Sequence, residues 1–235
     1  MTAKHPHPIT VHGHTRVDDY YWLRDDTRKD PAVLAHLRAE NAAFEKAMAH
    51  TADLQQSLYE EMIARLDPDE SSVPYLLGGY WYYSRYEKGL EYAIHARRAG
   101  SMEAAEEILL DCNERARGHQ YYALGGFEVS DEGRYLAIAE DTVSRGLYQV
   151  RILDLHRGEF LPGVIEGAAS GLAWSADGRY LFYLEKHPET LLAYRMMRHR
   201  LGADSRADVL VYEETDHTFY CLLYTSDAAD DLQPV

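Results

Sequence analysis

No serine of this 235-residue chain stands in a recognised nucleophile motif. Ser170 comes nearest, because it lies between Gly167 and Gly171. A nucleophile elbow needs the order Gly-x-Ser-x-Gly, and that order occurs nowhere in the sequence. We therefore interpret residues 167–171 as a loop before a strand, and we nominate no catalytic residue.

Patterns that bind a metal or a cofactor are also missing from the sequence. His5, His7, His12 and His14 fall close together, but in irregular chain without a neighbouring Cys and without a helical i,i+4 pair. The twelve histidines form no His-Glu-x-x-His motif, and no Gly-x-Gly-x-x-Gly or phosphate loop is present. We interpret the four histidines as structural and predict no cofactor and no metal site.

A repeated segment organises the rest of the chain. Residues 130–140 and 175–185 both begin with Ser, pass through Gly-Arg-Tyr-Leu, and close a short apolar run with Glu. Glycine in a tight turn that leads into an apolar strand, recurring at a period in the forties, is typical of a β-propeller blade. The fold class predicted is mainly β, with two hairpins of an ordinary sandwich as the alternative.

Composition limits the partners and the location. The formal charge of −15 argues against a nucleic acid or an anionic membrane as a partner. No apolar run reaches the ~18 residues of a membrane helix, and the N-terminus lacks the pattern of a signal peptide. The two cysteines, without a Cys-x-x-Cys motif, fit a reducing compartment, so we predict a cytoplasmic protein.

The first part of the chain is predicted to be helical. Asp30 can cap a helix that Pro31 opens, and a second helix begins near Asp53 and stops at Asp67-Pro68. Both helices carry an apolar stripe and must pack on something. The stripes are Val33, Leu34, Leu37, Phe44 and Met48 in the first helix, and Leu54, Leu58, Met62 and Leu66 in the second.

Strands follow from about residue 72 onward. The first blade is predicted from strands at 80–86, 91–97 and 108–111, with Lys88-Gly89 as a hairpin turn. The second blade covers about 119–163, with an inner strand at 147–155 and a turn at Arg157-Gly158. The third covers about 164–220, with later strands at 191–198 and 209–212. Three blades are too few to close a ring, because propellers use about 4–8, so the chain is expected to be incomplete.

As a set, several motifs resemble the oligopeptidase B branch of the prolyl oligopeptidase family over residues 5–220. The segment Trp22-Leu23-Arg24-Asp25-Asp26 is closer to that branch than to the proline-specific one. The other matching motifs are His12-Gly13-His14-Thr15-Arg16-Val17-Asp18-Asp19-Tyr20-Tyr21, Glu40-Asn41, Ser72-Val73-Pro74-Tyr75, Gly79-Tyr80-Trp81-Tyr82, Arg85-Tyr86-Glu87-Lys88-Gly89, Leu110-Asp111-Cys112-Asn113, Gly118-His119, Ala139-Glu140-Asp141 and Ser144-Arg145.

The resemblance implies a serine endopeptidase that cleaves short peptides after Arg or Lys. Residues 1–71 would be an N-terminal helical segment that docks on an α/β-hydrolase domain, and residues 72–220 would be blades 1–3 of a seven-bladed propeller that gates access to the active site. The hydrolase domain, which would carry the catalytic Ser, Asp and His, is absent from this sequence. The fragment by itself is therefore predicted to be inactive and poorly soluble.

Three carboxylates are candidates for meeting a cationic side chain of a substrate: Glu140, Asp141 and Glu185. Glu140 and Glu185 occupy equivalent positions of the repeat, which favours a structural role at a strand end over contact with substrate.

The tail, residues 221–235, departs from the family pattern. Its sequence resembles a translated transposon-type sequencing adapter, so we expect a non-native segment; a divergent strand and linker is the alternative. Two other functions stay open: a stand-alone β-propeller interaction module without catalysis, and a proline-specific oligopeptidase of the same family.

Overall fold

The computed structural model of the chain describes residues 2–224. The chain divides into two compact units, one that ends at Asp67 and one that begins at Pro68. Residues 225–235 of the predicted non-native tail lie outside the described residues, and the functional boundary at residue 71 stays a prediction.

The first unit contains a hairpin and two helices. Strands β1 (His7–Val11) and β2 (His14–Asp18) pair antiparallel, and a 3₁₀ turn follows at Tyr21–Leu23. Helix α1 spans Pro31–Met48 and helix α2 spans Ala52–Ile63, with a 3₁₀ turn at Ala49–Thr51 between them.

The start of α1 is confirmed at the predicted residues. The Asp30 side chain accepts hydrogen bonds from the backbone N–H groups of Ala32 and Val33, and Pro31 occupies the first turn, where a missing N–H costs nothing. Helix α2 ends at Ile63, earlier than the predicted stop at Asp67-Pro68, so Leu66 lies beyond the helix.

The second unit consists of antiparallel strands with one short helix. A four-stranded sheet has the order β3-β4-β5-β6, and an eight-stranded sheet has the order β14-β13-β12-β11-β9-β8-β7, with β10 paired to β9. The strands are β3 (Tyr75–Leu77), β4 (Tyr80–Arg85), β5 (Ile94–Ala99), β6 (Glu106–Asp111), β7 (Ala123–Val129), β8 (Tyr135–Asp141), β9 (Tyr148–Asp154), β10 (Glu159–Phe160), β11 (Ile165–Trp174), β12 (Tyr180–Lys186), β13 (Ala193–Arg200) and β14 (Val209–Glu213).

These strands form three successive four-stranded meanders, as expected for propeller blades. Blade 1 is β3–β6, blade 2 is β7–β10 and blade 3 is β11–β14. Blades 2 and 3 belong to one sheet because β11 also pairs with β9, through Ile165 opposite Val150. The mainly β fold with a helical N-terminal segment and a partial propeller is thus confirmed.

Apolar side chains fill the spaces between successive blades. One buried cluster packs between blades 1 and 2 and includes Tyr82, Leu136 and Ile138. Another packs between blades 2 and 3 and includes Val150 and Leu181. Alternate residues of β8 enter opposite clusters, so both faces of this strand are apolar, as the sequence pattern predicts.

One of two local predictions was wrong and the other was confirmed. The segment 167–171, predicted to be a loop, lies inside β11. The strand tolerates it because the pairing with β12 shifts register between Ala168 and Leu172, at a β-bulge where small residues fit. The turn predicted at Lys88-Gly89 is confirmed, because the N–H of Leu90 donates to Glu87 O at 3.0 Å and Gly89 has a φ of 85°. The connection as a whole is longer than this turn, since β4 ends at Arg85 and β5 begins at Ile94.

One helix was not predicted. Helix α3 (Cys112–Ala116) follows β6 directly, where Asp111 accepts hydrogen bonds from the N–H groups of Asn113 and Glu114. This helix places Arg115 next to blade 2, where its guanidinium donates hydrogen bonds to the carboxylate of Glu140.

Candidate functional site

Glu140, the first carboxylate singled out from the sequence, lies at the end of β8 and is only 3 % exposed. The guanidinium of Arg115 donates to both of its oxygens, with Nε 3.1 Å from Oε2. Arg115 also lies over the ring of Phe160, with its Cζ 4.9 Å from the ring centroid. Glu140 is therefore already neutralised by a residue of the same chain.

Asp141 binds the backbone of its own loop. Its side chain accepts hydrogen bonds from the N–H groups of Val143, Arg145 and Gly146, at 2.7–2.8 Å. These bonds hold the pKa of the buried carboxyl below its usual range, although burial alone would raise it. The side chain shapes the connection between β8 and β9.

Glu185, the counterpart of Glu140, is half-exposed at the end of β12. Arg195 Nη1 lies 3.5 Å from its carboxylate, and the same guanidinium also pairs with Glu213 at 2.9 Å. All three candidate carboxylates thus have partners within the blades.

A histidine and an aspartate that the sequence reasoning missed form a buried pair in blade 3. His199 Nδ1 is 2.7 Å from Asp208 Oδ1, and the hydroxyl of Tyr183 donates to Asp208 Oδ2 at 3.0 Å. All three side chains are buried. They tie β12 and β13 to the chain that enters β14, so we assign them to the fold.

Two of the four N-terminal histidines, His5 and His7, contact aromatic rings, as does His36 of α1. His7 stacks on Tyr21 at 4.0 Å between centroids, and His5 and His36 lie 5.2 and 5.4 Å from the ring of Trp22. Among residues 2–224, no three His, Cys, Asp or Glu side chains are grouped so as to hold a metal ion. In the same part of the chain, no helix has the length and apolar character needed to cross a membrane.

The cysteines are poor candidates for nucleophiles. Cys112 is buried at the start of α3, and burial raises the pKa of its thiol to about 11. A thiol with this pKa is protonated at neutral pH, and only the thiolate is strongly nucleophilic.

The two helices of the first unit expose several large apolar side chains, which together we call the helical face. Phe44 of α1 is 64 % exposed and Leu58 of α2 is 47 % exposed. Leu37, Leu54, Met62 and Ile63 are exposed as well. Because soluble proteins rarely leave such large apolar groups together in water, this helical face is a candidate docking surface.

A cleft opens between blades 1 and 2, and we call it the blade 1/2 cleft. It has a volume of about 380 Å³. Its lining is dominated by aromatic rings, with the backbone of β7 as one wall. The lining residues are Ser84, Tyr86, Tyr92, Ala93, His95, Cys112, Tyr122, Leu124, Gly125, Gly126 and Phe127. A concave, mainly aromatic space with a few polar groups is the usual form of a small-ligand site.

Relatives of known name match almost the whole chain. The dipeptidyl aminopeptidase BI of Pseudoxanthomonas mexicana is 45% identical over 234 residues, covering 93% of this chain and 32% of the relative. Protease 2 of Moraxella lacunata is 33% identical over 232 residues, covering 95% of this chain and 33% of the relative. The chain therefore spans about a third of the length of these relatives.

Solved structures agree with these relatives. Oligopeptidase B of Leishmania major superposes with a TM-score of 0.89 at 31% identity, covering 96% of this chain and 34% of that one. Oligopeptidase B of Trypanosoma brucei gives a TM-score of 0.82 at 29% identity, covering 92% of this chain and 32% of that one. The prolyl oligopeptidase N-terminal β-propeller domain matches residues 1–231. Because this family domain matches nearly the whole chain, and the structure has the three blades and the N-terminal helical unit, the chain belongs to the prolyl oligopeptidase family.

Proposed function

We propose that this chain is the N-terminal propeller part of an oligopeptidase B-like serine endopeptidase that hydrolyses short peptides after Arg or Lys. The observation that carries the proposal is the match of both the helical unit and the three blades to oligopeptidase B of Leishmania major. Sequence identity at this level supports a shared architecture, and the activity rests on the analogy.

In this proposal the blades gate access to the active site by size. Residues 72–220 form part of a propeller that covers the active site, so that only short peptides reach it. Residues 1–71 dock on the α/β-hydrolase domain, and the exposed apolar face of α1 and α2 offers the surface for that contact. We place the enzyme in the cytoplasm because the pattern of its two cysteines fits a reducing compartment.

The hydrolase domain would supply the chemistry. A Ser attacks the peptide carbonyl, a His takes the proton of the Ser, an Asp orients the His, and an oxyanion hole stabilises the tetrahedral intermediate. No residue of this chain is assigned to that triad, so the 235-residue chain by itself is expected to be inactive.

A second candidate function is removal of dipeptides from a free amino terminus. It is favoured by the 45% identity to the dipeptidyl aminopeptidase of Pseudoxanthomonas mexicana. The two candidates share the fold and differ in whether the substrate must carry a free α-amino group.

The experiment extends the reading frame beyond codon 220 in the source DNA and expresses the full product. Its activity is measured on Arg-Arg-p-nitroanilide with a free amino terminus, and on the same compound with a benzyloxycarbonyl block. Cleavage of the blocked compound supports the endopeptidase, and cleavage of the free compound alone supports the aminopeptidase. Cleavage only of an Ala-Pro analogue would overturn both in favour of a proline-specific enzyme. If the reading frame instead ends at a stop codon before any hydrolase domain, the result would favour the stand-alone β-propeller interaction module.

A further inference from the structure

The blade 1/2 cleft lies beside the apolar cluster that packs between blades 1 and 2, and it shares Cys112 and Tyr122 with that cluster. Its walls carry four rings besides the imidazole of His95: Tyr86, Tyr92, Tyr122 and Phe127. Tyr92 and Tyr122 meet edge to face, with centroids 5.6 Å apart and an interplanar angle of 87°. His95 stacks on Phe127 at 4.7 Å. The rings come from two blades and hold one another in place around the opening.

Two glycines of β7, Gly125 and Gly126, are among the residues that line the cleft. A Cβ on Gly125 would lie 2.3 Å from Tyr148 Cε1, and a Cβ on Gly126 would lie 2.3 Å from the carbonyl oxygen of Ser170. The pairing of β7 with β8 also shifts register between Leu124 and Gly126, which marks a β-bulge. Bulges redirect a strand locally and are frequent beside functional sites. Glycine at these two positions lets β9 and β11 pack close against β7, and it leaves only the main chain of β7 in this part of the lining of the cleft.

No Asp, Glu, Lys or Arg side chain is among the described residues that line the cleft. Two carboxylates, those of Asp111 and Glu140, act on the Cys112 thiol, and one guanidinium, that of Arg115, opposes them. His95 adds no positive charge near pH 7, because burial holds its pKa below the usual range. The cleft therefore combines aromatic rings with a lining that, over residues 2–224, has no cationic side chain to repel a bound cation.

We propose that the blade 1/2 cleft binds an organic cation of a peptide, which is either an Arg or Lys side chain or a protonated amino terminus. Aromatic faces attract such cations, and the attraction is strongest where water is partly excluded. The cleft is a binding subsite and takes no part in bond cleavage. This inference rests on the proposed peptidase function, since it names a place where a basic substrate is held.

The first test measures binding to the 235-residue chain by ligand-observed saturation-transfer NMR. The probes are Nα-acetylarginine amide, its uncharged analogue Nα-acetylcitrulline amide, and arginine amide with a free α-amino group. If the bound cation is the side chain, we expect acetylarginine amide to bind at least about tenfold more tightly than acetylcitrulline amide. If it is the amino terminus, we expect arginine amide to bind more tightly than acetylarginine amide by a similar factor. Acetylation without effect assigns the cation to the side chain, and a strong loss on acetylation assigns it to the amino terminus. Equal binding of the acetylarginine and acetylcitrulline amides, with no tighter binding of arginine amide, would overturn the inference.

Two variants locate the binding. Tyr86→Leu changes a ring that is 44 % exposed, so the fold should persist, and Phe127→Leu removes a second ring. Each should weaken binding of acetylarginine amide by roughly threefold to tenfold. Tyr212→Leu on the exposed surface of β14 is the matched control and should leave binding unchanged. If Tyr86→Leu and Phe127→Leu bind acetylarginine amide as tightly as the control does, and circular dichroism confirms that they are folded, the cation binds elsewhere and the inference is overturned.

The full-length enzyme separates this inference from the proposed function. If the enzyme cleaves Arg substrates, Tyr86→Leu should raise KM for Arg-Arg peptides with kcat nearly unchanged, because the ring acts in binding alone. An unchanged KM would reject the proposed subsite without contradicting the proposed peptidase function. Absence of any cleavage would defeat the proposed function, while binding to the isolated chain would still report on the cleft.

Discussion

The two copies of the repeated turn, residues 130–140 and 175–185, make the same backbone hydrogen bonds in different electrostatic surroundings. Ser130 Oγ accepts from Tyr135 N at 3.0 Å, as Ser175 Oγ does from Tyr180 N. The N–H of Gly133 reaches Ser130 O at 2.7 Å, and the N–H of Gly178 reaches Ser175 O at 2.8 Å. The repeat therefore encodes one backbone form twice.

The side chains at equivalent positions differ in their partners. Glu140 is buried against Arg115, whereas Glu185 is half-exposed beside Arg195. Arg134 reaches Asp154, whose side chain is only 2% exposed, whereas Arg179 bonds to Asp177 inside its own exposed turn. The second copy is more exposed to solvent at these positions. The shared residues thus preserve the turn, and the neighbours of each copy decide what each charge contributes to stability.

The largest contrast should appear at the two glutamates. Breaking a fully buried ion pair costs about 3–5 kcal/mol, but Arg115 retains some contact with water, so Glu140→Gln should lower the free energy of unfolding by about 2 kcal/mol. Glu185→Gln, the matched control, should produce a much smaller loss because exposed pairs contribute little. Urea denaturation of both variants measures the difference. Equal losses would show that burial does not separate the two copies.

The glycines of the two turns should differ less. Both have positive φ, 72° at Gly133 and 64° at Gly178, so replacing either with Ala costs about 1 kcal/mol from the backbone alone. A Cβ at Gly133 would also lie 3.3 Å from Nη1 of Arg97, which cannot retreat because Glu107 and Gly133 O hold its guanidinium.

At Gly178 the obstacle is the end of an exposed Glu132 side chain, which can rotate away. We therefore expect Gly133→Ala to cost about 2 kcal/mol and Gly178→Ala about 1 kcal/mol. Chemical denaturation at one pH checks the order. A larger loss at Gly178 would mean that Glu132 is fixed in place.

The residue before each turn offers a third contrast, since Trp174 precedes the second copy and Val129 precedes the first. Trp174 Nε1 donates to Glu128 O at 3.0 Å and so links blade 3 to blade 2. Trp174→Phe should cost about 1 kcal/mol, mainly for the lost hydrogen bond. Trp81→Phe is the control, because the corresponding bond to Gly100 O is longer, at 3.3 Å, and exposed. If Trp81→Phe lowers the free energy of unfolding as much as Trp174→Phe does, the hydrogen bond between blades 2 and 3 adds no stability beyond that of an exposed bond.

The sequence predicted the backbone of the blades well because the turn is encoded locally. The Ser and the Gly of the turn lie within one stretch of eleven residues, and the hydrogen bonds that close the turn, from Gly133 N to Ser130 O and from Ser130 N to Tyr135 O, lie inside it. The helix cap at Asp30 and Pro31 was predictable for the same reason. Local chemistry of this kind needs no knowledge of the rest of the fold.

The side-chain partners were not predictable because they come from distant parts of the chain. Glu140 meets Arg115 only because Asp111 caps the short helix α3 after β6. The blade 1/2 cleft is lined by β7 at the register shift between Leu124 and Gly126, and no residue spacing in the sequence predicts that shift. Absence of a Gly-x-Ser-x-Gly motif was readable directly, whereas the surroundings of each carboxylate required the packed blades.

The smallest contrast concerns the two arginines of the repeat. Arg134 Nη2 donates to Asp154 Oδ2 at 2.9 Å, and this bond is the main reason that the pKa of Asp154 lies below its usual range. At Asp177 the hydroxyl of Ser175 is the main cause of a pKa lowered to about 2, and Arg179 comes second. Arg134→Ala should therefore reduce the free energy of unfolding at pH 7 more than Arg179→Ala does.

The pH dependence sharpens this last comparison. A carboxyl whose pKa is depressed in the folded state stabilises the protein above its unfolded pKa of about 4, and that stability is lost as pH falls through the folded pKa. Arg134→Ala should return the pKa of Asp154 toward its usual range and so flatten the loss of stability below pH 4. Arg179→Ala should keep most of the loss, because the hydroxyl of Ser175 and the backbone N–H of Arg179 still bind Asp177. Urea titrations between pH 3 and pH 7 distinguish the two, and an identical flattening in both variants would show that the arginines act alike in spite of their different burial.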